Sequence, residues 1–296
     1  MRFQINKKQI DGIFIHEERH GSYVCVDSSR IKASMALLEN NDVIGVEIHK
    51  DFGFQDDNLE FLANYPEIKR LVVASKIADL NGLAYLEKLE YLMLSEGTLP
   101  KSVLAETAFP CLKHFRGGWS PDLINLFDSA PLSRLYLYGA KLGSHGLKAL
   151  SGLSKLQHLE LVRGDLSNLN NLCLFPTLRI LDLAYLPKLT SLQGISASSM
   201  QLRELHLENC PNIEDFHELG KLSYLKVLSL NSCKSIDSIQ FISHMRALAS
   251  FRFVHTNVVD GDLSPCLNLK YVGSFNKRHY LPSVDEIKKK IGQSTK

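Results

Sequence analysis

Little in this sequence is concentrated in one place. Six cysteines, Cys25, Cys111, Cys173, Cys210, Cys233 and Cys266, are spread over 296 residues without a CxxC pair. That spacing excludes a zinc ribbon and a stapled secreted framework, so free thiols in a reducing compartment are expected. No Asn-x-Ser/Thr acceptor occurs, which agrees with a cytoplasmic location. The net charge is only +2, which leaves no electrostatic footprint for a nucleic acid. No apolar run is long enough to span a bilayer, and the opening MRFQINKK alternates polar and apolar residues where a signal peptide would be apolar. Neither a membrane nor a nucleic acid is an expected partner, and the chain is expected to be a monomer when free. Tryptophan is also scarce: Trp119 is the only one.

Leucine is plentiful, and its order carries the reading. In Leu156–Pro187 the pattern Leu-x-x-Leu-x-Leu appears twice, at Leu156/Leu159/Leu161 and at Leu178/Leu181/Leu183. Between the copies Leu166, Leu169, Leu172 and Leu174 lead to a Phe175-Pro176 break. The same opening recurs at Val43, Ile68, Leu89, Leu112, Leu132, Leu156, Leu178, Leu202, Leu225, Leu248 and Leu269. Successive spacings are 25, 21, 23, 20, 24, 22, 24, 23, 23 and 21 residues. One such unit cannot bury its own leucines, so it implies stacked neighbours. The repeat at Leu112 is irregular: Phe115-Arg116-Gly117-Gly118-Trp119 stands where a second inward leucine belongs, which predicts a bulge or a close backbone approach.

These residues resemble leucine-rich-repeat proteins, in particular the short-repeat class found in bacterial internalins and eukaryotic phosphatase regulators. The loop position that this class usually gives to Asn is held here by Cys210, Cys233, Gly97, Gly164 or Thr256. The resemblance implies an α/β leucine-rich-repeat solenoid, a horseshoe with a parallel sheet on its concave face and a short helical or irregular convex side. Three segments are expected: a cap over 1–42, about eleven repeats over 43–275, and a capping helix over 276–296. In the first, Arg2–Ile5, Gly12–His16 and Tyr23–Asp27 read as strands, His16–Ser22 as a turn and Ser29–Asn40 as a helix. In the last, Ser283 with Glu286 three residues on spells a capping box.

In each strand the leucines point inward and the residues between them point outward, free to meet a partner. The outward positions of repeats three to seven are rich in the residue types that dominate protein interfaces. They are Tyr91, Met93, His114, Arg116, Trp119, Arg134, Tyr136, Tyr138, His158, Glu160, Arg163, Asp182 and Tyr185. The expected function is therefore a non-enzymatic scaffold that grips a protein on this face. Among the roles that the resemblance leaves open are a bacterial immunity or inhibitor protein that neutralises a toxin and an effector directed at a host. The first two strands add Glu47, His49 and Arg70 to the outward set, and the later ones add Glu204, His206 and Glu208.

Two strings invite an enzyme reading. His16-Glu17-Glu18-Arg19-His20 matches HExxH, a zinc motif that works only on a helix, where both histidines share a face. Its flanks read as strands, so no metal and no cofactor is expected there. His114 and His158, with Glu160 and Asp182, make an imaginable acid–base set, but on an open, wet face. No catalytic residue is assigned.

Overall fold

Burying a leucine at every second position of an extended segment leaves one face of a strand apolar, and a parallel neighbour in the same register completes the layer. A computed structural model shows that layer, and describes residues 6–18, 21–39, 42–95, 109–198 and 201–292. The chain divides into two compact units, Met1–Leu132 and Ser133–Lys296. This boundary falls inside the run of repeats.

The first unit has seven hydrogen-bonded strands in chain order: β1 (Asn6–Ile10), β2 (Ile13–Glu18), β3 (Gly21–Cys25), β4 (Val43–Ile48), β5 (Arg70–Val73), β6 (Tyr91–Leu94) and β7 (His114–Gly118). β1, β2 and β3 are antiparallel, and from β3 onward the pairing is parallel. Asp11 and Gly12 both have positive φ, the backbone of a tight two-residue hairpin, and they join β1 to β2. The strand expected at Arg2–Ile5 lies outside the described residues, and the first strand seen is 6–10. The expected turn His16–Ser22 narrows, because His16 to Glu18 continue β2 and Gly21 opens β3. The expected helix shortens to α1 (Ile31–Ala36), with 3-10 turns on both sides. Arg30 fixes its start: the guanidinium donates to the carbonyls of Asp11 and Gly12 and to the Asp27 carboxylate. Later returns are 3-10 turns at Glu60–Asn64 and Asn81–Tyr85, then α2 (Leu123–Ser129).

The irregular repeat is explained by one exchange of volume. Phe115 is buried in β7, and a Cβ on Gly117 would stand 2.9 Å from its ring. The ring occupies the room of the missing leucine, so a side chain two residues on would have to displace it. Registers Tyr91↔His114 and Met93↔Arg116 stay regular, so no bulge falls at these pairs; the close contact at Gly117 is with the Phe115 ring, and the Leu94 carbonyl oxygen stays at an ordinary 3.6 Å.

The second unit repeats the plan with β8 (Arg134–Tyr138), β9 (His158–Val162), β10 (Ile180–Ala184), β11 (Glu204–Glu208), β12 (Val227–Asn231), then β13 (Ser235–Ile236), β14 (Ser250–Arg252), β15 (Asn257–Val258) and β16 (Tyr271–Gly273). These strands pair in parallel, and β13 and β15 form a small separate sheet. Each of the other strands starts two residues after its opening leucine: Leu156 precedes His158, Leu178 precedes Ile180, and Leu202 precedes Glu204. The leucines of one repeat, Leu156, Leu159, Leu161, Leu166, Leu169 and Leu172, are all buried together with Phe175. Each is worth about 1.5–3 kcal/mol when a neighbouring repeat covers it.

A polar ladder runs beside this core. The Cys210 thiol lies 3.6 Å from the Leu183 carbonyl, and the Cys233 thiol 3.6 Å from the Leu207 carbonyl. At the next rung the Thr256 hydroxyl donates to the Leu230 carbonyl and accepts from the Cys233 amide. Gly164 belongs to the same column, where a Cβ would stand 2.7 Å from the Ala140 carbonyl. The side chains that replace Asn thus face the loop interior; Gly97 lies outside the described residues. On the return side, Asp165 accepts from the Leu142 amide and Asp215 from the Leu192 amide, each tying its repeat to the one before. The chain closes with α3 (Val284–Lys290), whose Ser283/Glu286 capping box is formed and whose Val284 and Ile287 are buried. No helix among the described residues is long and apolar enough to cross a membrane.

Candidate functional site

The thirteen side chains singled out by sequence divide between the units, five in the first and eight in the second. In the first unit the outward rows are crowded. The Arg70 guanidinium donates through Nε and Nη2 to the Tyr23 hydroxyl at 3.1 and 3.0 Å, and lies 4.4 Å from the Tyr91 ring centroid. Tyr91 in turn meets His114 edge to face. Burial pushes both the Tyr23 and Tyr91 hydroxyls above the usual phenol range, and Arg70 pulls the other way on each. Met93 and Arg116 sit side by side in register. Trp119 follows the end of β7 and stacks with Phe127 of α2, centroids 6.4 Å apart, so it belongs to the helix packing more than to the strand rows.

Glu47 departs from its expected exposure. It is 3% exposed, and its carboxylate lies 2.6 Å from His16 Nδ1. The β1–β3 hairpins bring His16 over β4, a contact spanning 31 residues. The same placement removes the zinc-protease reading. His16, Glu17 and Glu18 lie in β2, so the helix that HExxH needs is absent there, while Arg19 and His20 lie outside the described residues.

In the second unit, register makes three outward rows. Arg134, His158, Ile180, Glu204 and Val227 form the first row. Tyr136, Glu160, Asp182, His206 and Ser229 form the second, and Tyr138, Val162, Ala184, Glu208 and Asn231 the third. Neighbours in a row are about 4.8 Å apart, within reach of one another's side chains. Arg163 and Tyr185 stand just past the strands, at left-handed turn positions with φ of 56° each. The column they share also holds Gly139, Asn209, Ser232 and His255, all with positive φ.

Two constellations result. The Arg163 guanidinium lies between two rings, 5.5 Å from the Tyr138 centroid and 5.7 Å from that of Tyr185, and Nη1 donates to the Tyr138 hydroxyl at 2.6 Å. Its planar fork suits such stacking and holds both rings in place. Tyr185 remains 42% exposed. Beside it, His158 Nε2 is 2.6 Å from Asp182 Oδ2, and His206 Nε2 is 3.8 Å from Asp182 Oδ1 and 3.5 Å from Glu204 Oε2. One carboxylate thus faces two imidazoles. Asp182 and His206 are register partners, each following the first strand leucine of its repeat, Leu181 and Leu205. Of the imagined acid–base set, His158, Glu160 and Asp182 cluster in the second unit, and His114 belongs to the first.

No family model matches the chain, and no curated protein matches it in sequence. Solved structures do. An internalin, InlF, from Listeria monocytogenes str. 4b F2365 superposes with a TM-score of 0.58 at 15% identity, over 88% of this chain and 83% of that one. The functional domain of InlJ from Listeria monocytogenes, described as including a cysteine ladder, gives a TM-score of 0.49 at 14% identity, over 86% of this chain and 52% of that one. Identity this low speaks to architecture alone. Taken with the parallel strands and the buried leucines in register, it makes the chain a leucine-rich-repeat solenoid in fold.

Proposed function

We propose that the outward sheet face of the second unit is a protein-binding surface and that the chain works as a non-enzymatic scaffold. One observation carries this reading: Tyr138, Arg163 and Tyr185 form a pre-ordered cation–π stack on a face where Arg134, Tyr136, His158, Glu160 and Asp182 also keep solvent contact. A partner that meets rings and a guanidinium already fixed loses less side-chain entropy on binding. Tyr91, Met93, His114, Arg116 and Trp119 are proposed as a further partner-binding set, on the first unit. The segments 1–42 and 276–296 act as end caps in this reading. The antiparallel β1–β3 hairpins and α3, packed on β16, cover edges that a repeat would leave apolar.

The test is the double variant Arg134→Ala/Tyr136→Ala, compared with the parent as bait in native lysate. Loss of the captured partner with a nearly unchanged melting temperature is the expected result. A large drop in melting temperature with capture intact would assign these side chains to stability alone.

A further inference from the structure

The outward rows of the second unit also gather metal donors of mixed type. One ligand atom each from His158, Glu160 and Asp182 lies within 4.8 Å of the other two. We propose that these three residues form a binding site for one divalent transition-metal ion, of which Zn²⁺ is the representative. Three strand positions in two adjacent strands create it: His158 and Glu160 are two apart on β9 and point to the same side, and Asp182 is the register partner of Glu160 on β10. Rigid strands make better ligand platforms than loops. The donor chemistry selects the metal class. An imidazole with two carboxylates suits Zn²⁺ and its neighbours, whereas calcium and magnesium sites are built from oxygen throughout.

The geometry needs a small adjustment. Tetrahedral zinc with bonds near 2.0–2.1 Å sets nitrogen and oxygen donors about 3.4 Å apart. His158 Nε2 and Asp182 Oδ2 now share a hydrogen bond at 2.6 Å. An ion replaces the shared proton and opens that gap by about 0.8 Å, a rotamer-scale motion for half-buried side chains. Around the site, His206 stands beside Asp182 and Glu204 beside His206, and Arg134 is the register partner of His158. The ion by itself is the ligand, whatever protein this face binds.

The test uses the 296-residue chain with Cys111→Ser and Cys173→Ser, because these are the two exposed thiols and both are competing zinc ligands. Zinc chloride is titrated by equilibrium dialysis, and cobalt(II) reports the site by its visible d–d absorption. One ion per chain is expected, with affinity reduced at least roughly tenfold in Asp182→Asn and in His158→Gln. His217→Gln, an exposed histidine on the return segment Phe216–Lys221, should bind as the parent does. Far-UV circular dichroism checks that each variant is folded. If one of the two is not, Glu160→Gln takes its place with the same expectation. Binding of less than one ion per chain, or folded Asp182 and His158 variants that bind like the parent, would overturn the assignment.

Discussion

Replacing Thr256 by Val tests the polar ladder with almost no change in volume. The Thr256 side chain is 1% exposed, and its hydroxyl serves two buried backbone groups, the Leu230 carbonyl and the Cys233 amide, the latter at 2.9 Å. Valine fills the same space, so no cavity term enters and the penalty is that of two groups left unpartnered. At about 1–3 kcal/mol for each such group, the variant should lose roughly 3 kcal/mol. Thr256→Cys is the control. Cysteine already occupies this rung in the two preceding repeats, where each thiol reaches a carbonyl at 3.6 Å. It keeps a weak donor, so the expected loss is near 1 kcal/mol. Urea unfolding followed by circular dichroism gives both values, and hydrogen exchange at the Cys233 amide localises the effect. A Val variant within about 0.5 kcal/mol of the parent, or a Cys variant as unstable as the Val one, would refute the ladder as a source of stability.

Thiol chemistry should separate the cysteines cleanly. Burial pushes the Cys210 thiol up to about 11, and those of Cys233 and Cys266 to about 12. These groups stay protonated at pH 8, and Cys25 is buried with them. A disulfide reagent should therefore titrate two thiols per native chain, Cys111 and Cys173, and six in guanidinium; a third fast thiol in the native chain would contradict the burial. At the C-terminal end, Ser283→Ala removes the N-cap of α3 and should cost about 1 kcal/mol in urea unfolding, with no loss taken as a sign that the helix does not report on the repeats. Asp27 gives a pH signature. Its carboxyl is held below the usual range chiefly by the Ser29 hydroxyl, helped by Arg30, against a smaller opposing effect of burial. A lowered folded-state value means stability present above the unfolded carboxylate value and lost as pH falls through the folded one. Asp27→Asn should flatten that acid limb, and an unchanged limb would clear Asp27 of the role.

The repeats were legible because their signal is local and periodic. Leu156, Leu178 and Leu202 are each buried and each precede a strand by two residues, which a single chain records without any tertiary knowledge. The capping box at Ser283 was legible for the same reason: its partners are three residues apart. What depended on register or on distant contacts was harder to read. Asp11 and Gly12 carry the backbone of a hairpin turn, and among the described residues the strand that turn closes is Asn6–Ile10. Glu47 fits the outward rule by parity, yet it is buried, with His16 from a hairpin 31 residues upstream on its carboxylate. Trp119 carries an interface residue's chemistry, but Phe127 on the following helix claims one face of its ring. The pairing of Asp182 with His158 and His206 becomes visible once the strands are laid side by side, since no motif in a single repeat contains it.

The central claim is that the outward sheet face of the second unit, and not its return side, meets a protein. A photo-cross-linking amino acid at position 136 on β8, compared with the same group at position 217 on the return segment, measures this directly. The account predicts a covalent partner adduct from position 136 in native lysate and none from position 217. Adducts from position 217 alone would contradict it.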